Sequence, residues 1–339
     1  MKPHDLANIQ RVLRRAGLEP PDEVNALEDE HGTTARLYRL SIDGRDHVAK
    51  IVDDPNLGPR AARECAVLSA LETQLDHLAP RLVAFDATQP TVVLVTEHVE
   101  GQKLSGQQPL DPLVLNDVLH ALDVVWSITE GDVAAIGLPL PTWGRGRGIE
   151  GTHDRRVERF RRRAGSFLTN HPDLARAHRT ILERTGRILD VVVARRVDHP
   201  RLAEPRVIHG DLHADNIILS ARGPRILDWQ TASLGDPLED LVRFELESRA
   251  GPRFADLEAS AGRLPSNPPS RREIADAAVA CYAGLISGFA GRTADRRSAY
   301  ENLIFDRLLA PDQLPPIVAE ALDHAEADPR TTPTRRGPG

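Results

Sequence analysis

Apolar residues recur at helical spacing through residues 5–17 (DLANIQRVLRRAG) and stop at Gly17, which predicts an amphipathic helix. From about 24 to 53 the period shortens to two. Leu37 to Ile42 and His47 to Val52 flank Asp43-Gly44, a strong hairpin signal. Gly58 and Pro59 open a helix expected to run through about Leu75, and strand-like runs follow at Arg81 to Phe85 and Thr91 to Glu97. Residues 98–103 (HVEGQK) read as a connector. Beyond it the period is helical at 111–129, 153–167 and 172–195, is interrupted by a polar hairpin at 207–229, and resumes at about 236–249, 271–291, 295–309 and 315–326. SNPPS (266–270) is a loop, and the tail 327–339 has no apolar anchor and is expected to be disordered. The prediction is an α+β chain. Residues 1–97 form a small N-terminal lobe, an antiparallel sheet with one inserted helix and the leading helix 5–17. Residues 98–103 form a hinge, and 104–326 a larger, mainly helical lobe. A cleft between two such lobes is the expected ligand site.

Composition narrows the classes. With 339 residues, 40% hydrophobic and 27% charged, the chain reads as an ordinary globular protein large enough for two subdomains. A net charge of −7 argues against a general nucleic-acid binder. Cys65 and Cys281 alone cannot make a disulfide framework and suit a reducing cytoplasm. MKPHDLANIQ carries no apolar core of a signal peptide, and the most apolar run, near Leu113 to Trp126, is broken by Asn116, Asp117, His120 and Asp123. The expectation is a cytoplasmic protein without membrane attachment. Of 43 basic residues only Lys2, Lys50 and Lys103 are lysines, so a lysine at 50 stands out against an arginine-rich background.

The densest chemistry lies in VIHGDLHADNIILSARGPRILDW (207–229). Two short strands joined at Gly223-Pro224 would return Asp228 to the loop that holds Asp211 and Asn216. Phosphoryl transfer needs such a set: a carboxylate to orient a hydroxyl (Asp211), and an amide and a carboxylate (Asn216 and Asp228) to hold Mg²⁺ on phosphates. The competing reading is a polar turn capped by Asp and Asn, which leaves Asp228-Trp229 unexplained. His209 is expected to support the loop backbone, and His213 and Asp215 to cap or brace it.

Glu64 falls on the apolar helix face of Val67, Leu68, Leu71 and Leu75, so it wants a cation. Lys50, on the neighbouring strand, is the natural partner, and such a pair holds a lysine against nucleotide phosphates. Gly32-Thr33-Thr34 precedes the first hairpin, where a turn would place Thr33 and Thr34 over phosphates; a plain turn is the alternative. In GDPLEDL (235–241), Asp236 reads as an N-cap with Pro237 at N1 and Glu239 at N3, and Asp240 as a tie back to the loop. Glu245 and Glu247 are candidate contacts to a cationic acceptor. The arginines of 155–163 read as a solvated helix face, and the cysteines as core.

HGDLHADN followed by ILDWQTASLGDPLEDL resembles the signature of the aminoglycoside phosphotransferase family, within the protein-kinase-like fold. The spacing of Asp211, Asn216 and Asp228 matches that pattern, and Lys50 with Glu64 matches its strand-lysine and helix-glutamate pair. The resemblance implies a bilobal protein-kinase-like fold over residues 24 to about 325. It implies Asp211 as catalytic base, Asn216 and Asp228 on Mg²⁺, Lys50 on the nucleotide phosphates, and main-chain groups near Glu97 and Val99 in TEHVEG (96–101) on a purine. HGD in place of HRD and DWQ in place of DFG separate the chain from protein kinases and point away from protein substrates; its nucleotide loop also lacks the usual several glycines.

The leading expectation is a kinase moving the γ-phosphoryl of ATP or GTP to a hydroxyl of a small molecule. An antibiotic acceptor (aminoglycoside, nucleoside or other natural product) would make it a resistance enzyme, monomeric or homodimeric. A metabolite kinase of choline, homoserine or sugar type is the alternative. A dinuclear metal hydrolase would need further His/Asp clusters, and a non-catalytic nucleotide-binding protein would not need Lys50, Glu64, Asp211, Asn216 and Asp228 together.

Overall fold

The computed structural model describes residues 3–21, 23–27, 35–87, 91–106, 111–142, 147–172, 176–197, 204–248, 254–264, 268–292, 299–310 and 314–327. Thr33, Thr34 and the tail from 328 lie outside these residues. Five antiparallel strands, β1 (Val24–Ala26), β2 (Arg36–Ile42), β3 (Arg45–Val52), β4 (Leu82–Asp86) and β5 (Val92–Glu97), form a sheet in the order β1-β2-β3-β5-β4. Asp43 and Gly44 turn between β2 and β3 with φ of 50° and 71°, the positive values a two-residue hairpin turn demands.

Helix α1 (Pro3–Arg15) covers one face of this sheet. Its Ile9, Val12 and Leu13 pack with Tyr38, Leu40, Ile42, Ala49, Ile51, Ala84, Val93 and Val95. Side chains alternate along a strand, so the Ala49/Ile51 face excludes Lys50 and turns it to the other side. There α2 (Gly58–Ala70) buries Ala61, Glu64, Cys65, Val67 and Leu68. The helix expected through Leu75 breaks at Leu71, whose ψ of 16° leaves the α-helical range, and restarts as α3 (Glu72–Leu75).

Both ends of α1 are pinned by charge. Arg36 makes bidentate pairs with Asp5 (2.7 and 2.8 Å) and with Asp53 (2.7 and 2.9 Å). The Tyr38 hydroxyl donates to Asp5 at 2.5 Å. At the other end Arg15 meets Asp86 at 2.8 Å.

The chain divides into two compact units, residues 1–140 with 209–233, and 141–208 with 234–339. The first contains the five-stranded sheet, α1 to α3, α4 (Pro112–Ser127), α5 (Glu130–Ala135) and a three-stranded antiparallel sheet of β6 (Gln102–Lys103), β8 (Ile217–Ser220) and β9 (Gly223–Ile226). The second contains α6 (Arg147–Asn170), α7 (Arg176–Val197), α8 (Pro237–Ser248), α9 (Phe254–Ala261), α10 (Arg271–Ala290), α11 (Ala299–Leu308) and α12 (Pro316–Glu326); β7 (Arg206–Ile208) pairs with β10 (Ser233–Gly235). Local chemistry starts α4 and α10 where expected. Asp111 caps α4 at the Leu113 N–H (2.8 Å), and Ser270 with Glu273 closes a capping box on α10.

Helix α10 alone among the described helices has the length and apolarity to cross a membrane, but 72% of its apolar window is buried within the protein. It lies against α6, α7, α8 and α12 as the core of the second unit. The short strand β6 and the helices α5 and α9 lie outside the elements the pattern predicts.

Candidate active site

The loop after β7 is built tightly. Gly210 has φ of 77°, and a Cβ there would lie 2.6 Å from the Thr231 carbonyl oxygen, so only glycine fits. Fully buried His209 is held by its Nε2 at 2.8 Å from the Leu227 carbonyl and meets Trp229 edge to face with centroids 5.0 Å apart. The Thr231 hydroxyl donates to the His209 carbonyl at 2.9 Å. The histidine thereby laces the 209–216 loop to the 227–231 segment.

Within the loop the Asn216 amide nitrogen donates to the Asp211 carbonyl (2.9 Å) and to His213 Nε2 (3.1 Å). Both partners are acceptors, so the NH₂ end is committed to the loop and Oδ1 is its opposite end. The Leu227 N–H donates to the Asn216 carbonyl at 2.8 Å, and Ile217 pairs with Ile226. The hairpin thus returns Asp228 to this loop, as its hydrophobic pattern predicts. Asp228 itself is left-handed (φ 60°, ψ 62°), a conformation tolerated by few residues other than Gly, Asn and Asp.

Lys50 sits between two carboxylates, 2.7 Å from Glu64 Oε2 and 2.6 Å from Asp228 Oδ1. Gln230 donates to the other Asp228 oxygen at 3.0 Å. Burial alone would favour neutral forms throughout. For Lys50 the charges of Glu64 and Asp228 outweigh it and raise the ammonium pKa above its ordinary value. For Glu64 burial prevails over Lys50, the Asp228 charge adds to it, and the carboxyl is raised.

One cation shared by two carboxylates leaves excess negative charge in a low-dielectric site, which favours binding of a further cation. Two of the three Lys50 N–H donors are committed among the described residues, leaving one for an anion. The two hydrogen bonds accepted by Asp228 likewise leave lone pairs for a hard metal. A site of one carboxylate and one amide oxygen fits Mg²⁺, which keeps several waters or phosphate oxygens in its shell. Among the described residues no group of three or more His, Cys, Asp or Glu is placed to hold a metal, contrary to what a dinuclear hydrolase requires.

The remaining candidates lie in three places. At the end of β5, the Glu97 carboxylate accepts from Arg225 and from the Arg81 N–H, while the backbone groups of Val99 bond to no described residue. Asp240, Glu245 and Glu247 belong to the second unit, buried on α8. Glu247 accepts from Arg243 at 2.6 Å and Glu245 from Ser260 at 3.3 Å, so neither carboxylate faces solvent. Asp236 caps α8 through the Leu238 N–H at 3.0 Å. Cys65 is core, its thiol pushed up to about 12 by burial. Sequence reasoning missed Gln230 and Arg225; each reads locally as a turn or loop polar residue, and only the fold gives it a partner.

With an α+β fold of this kind, a strand lysine, a helix glutamate and a loop-plus-hairpin carboxylate set, the molecule is of the protein-kinase-like class. The model of the phosphotransferase enzyme family matches residues 26–274, and the chain belongs to that family. No curated protein sequence matches it. Among solved structures it is similar to spectinomycin phosphotransferase APH(9)-Ia in complex with ADP and spectinomycin (10% identity, 96% of this chain and 97% of that one, TM-score 0.61). It is also similar to a choline/ethanolamine kinase family protein from Mesorhizobium loti (16%, 96% and 99%, 0.59) and to macrolide 2′-phosphotransferase MphH from Brachybacterium faecium (17%, 88% and 97%, 0.58).

Proposed function

We propose that the protein is a cytoplasmic small-molecule kinase that transfers the γ-phosphoryl group of ATP or GTP to an alcohol hydroxyl, with an antibiotic or related natural product as acceptor. The observation that carries this reading is Lys50 held between Glu64 and Asp228, in the same compact unit as the Asp211–Asn216 loop. Asp211 accepts a hydrogen bond from the acceptor hydroxyl, orients it for in-line attack and receives its proton. The uncommitted N–H of Lys50 binds the α- and β-phosphates, with Glu64 fixing the ammonium. Asn216 and Asp228 would hold Mg²⁺, which supplies charge neutralisation to the phosphates when bound. The main chain at Glu97 and Val99 reads the purine. ADP in the spectinomycin enzyme supports the nucleotide donor, and the spectinomycin and macrolide enzymes support the acceptor class.

The test has two parts. Nucleotide consumption is measured with ATP and with GTP against aminoglycosides, macrolides, nucleosides and amino alcohols; turnover with choline or ethanolamine alone would move the assignment to a metabolite kinase. With the acceptor in hand, Asp211→Ala should lower kcat by about 10²–10⁴-fold while calorimetry shows Mg·ATP binding retained. Near-wild-type turnover in that variant would sink the role given to Asp211.

A further inference from the structure

Residues 98–103 have the composition of a loose connector, yet they are fastened on both sides. Downstream, Gln102 and Lys103 pair with Leu219 and Ile218 as β6 against β8. Gly101 (φ 154°) lies so close to β8 that a Cβ would fall 2.3 Å from the Leu219 carbonyl oxygen and 2.6 Å from Ile218 Cγ2. Upstream, Arg225 of β9 reaches across the fold. Its Nη2 donates to the Ala79 carbonyl at 2.7 Å and to the Glu97 carboxylate. Glu97 is held further by Arg81, whose N–H donates to the carboxylate (3.1 Å) and whose carbonyl accepts the Glu97 N–H (3.0 Å). The next N–H, of His98, donates to the Asp46 carbonyl at 3.0 Å.

The geometry frames one short segment. Glu97 and His98 are tied down before Val99, and Gln102 and Lys103 after it, while Val99 itself bonds to no described residue. Arg225 lies three residues before Asp228 on the same hairpin. Its side chain is 8% exposed, so its charge is secured by Glu97, whose own side chain is 33% exposed. Removing either member would leave the other poorly satisfied.

We propose that Arg225 is a positioning residue for the nucleotide. It fixes the peptide at Val99 to the hairpin that carries Asp228, so that the base and the phosphates meet one preformed element. This rests on the kinase reading above. Arg225 and the Arg81 N–H both bond to Oε1 of Glu97, which fixes the direction of that side chain, and the reading of the base is assigned to the main chain. Preformed geometry of this kind contributes affinity by removing the ordering cost of the segment.

The experiment compares two probes that share phosphates and differ in the base, Mg·ATP and Mg·tripolyphosphate, by calorimetry on wild type, Arg225→Met, Glu97→Gln and the double variant. Each single variant is expected to weaken Mg·ATP about tenfold, to leave tripolyphosphate within about twofold, and the double variant to lose no more than either single one. Equal weakening of both probes, an unchanged Mg·ATP affinity, or additive losses would overturn the proposal. Near-ultraviolet circular dichroism checks the fold, and Glu97→Gln carries the test if Arg225→Met does not fold. Failure of wild type to bind Mg·ATP or Mg·GTP would instead overturn the kinase reading, and this inference with it.

Discussion

Opposite faces of the five-stranded sheet carry the same motif with different cations. On the α1 face Arg36 is shared by Asp5 and Asp53; on the α2 face Lys50 is shared by Glu64 and Asp228. The guanidinium makes four hydrogen bonds in two planar forks, which leave one of its five N–H donors but lock its plane against the two carboxylates. The ammonium makes two bonds, keeps a third donor and can pivot on a flexible stem. One cluster is a fastener, the other is a fastener with a vacancy for an anion. In a chain that otherwise uses arginine almost throughout, the choice of lysine at 50 follows from that difference.

The largest expected effect is on the fastener. Arg36→Ala strands Asp5 inside the protein and should cost about 3–5 kcal/mol of stability, read from urea unfolding, while the protein that remains folded turns over normally. A large loss of kcat in the folded fraction would break the comparison. Lys50→Arg should do the reverse. It keeps the charge and most of the stability but lowers kcat by about 10²–10³-fold, because a rigid fork cannot serve two carboxylates and a phosphate together. If Lys50→Arg retained full turnover, the distinction between the two cations would fall.

Acid titration supplies the smallest and sharpest contrast. Burial would raise the Asp5 carboxyl, but hydrogen bonds from Arg36 and Tyr38 and the Arg36 charge hold it below its ordinary value. Its stabilisation is present above that ordinary value and is lost as pH falls through the lowered one. Glu64, raised by burial, has the opposite sign. Its contribution is full below its ordinary 4.5 and is lost as pH rises through the folded value. Unfolding midpoints against pH should therefore lose their acid limb in Asp5→Asn and flatten above about pH 5 in Glu64→Gln. A Glu64→Gln profile that changed only on the acid side would show the glutamate to be a simple ion-pair partner.

Much of the candidate site was legible in the chain because its signals are local. The Asp43-Gly44 turn, the 207–229 hairpin and the Asp236 cap each lie within a few residues of their partners, and Glu64 betrays itself on an apolar helix face. Arg36, Arg225 and Gln230 left no such mark. Arg36 and Arg225 find their meaning 31 and 128 residues away, at Asp5 and Glu97, a distance across which neither period nor propensity carries information. The two-residue strand β6 was missed for a related reason: its pairing is set by Gly101 and its partner strand, not by its own pattern.

The left-handed backbone at Asp228 bears on which variants of this enzyme are viable. A residue there must tolerate positive φ before its chemistry matters, so the accessible neighbours are Asn and Gly, and longer or branched side chains are filtered out by the peptide itself. Glutamate, the obvious alternative carboxylate, is thereby disfavoured whatever its reach toward a metal. Mutational drift at this position runs along a corridor in which nearly every permitted step removes the negative charge, and with it the metal role proposed for Asp228, while sparing the backbone conformation.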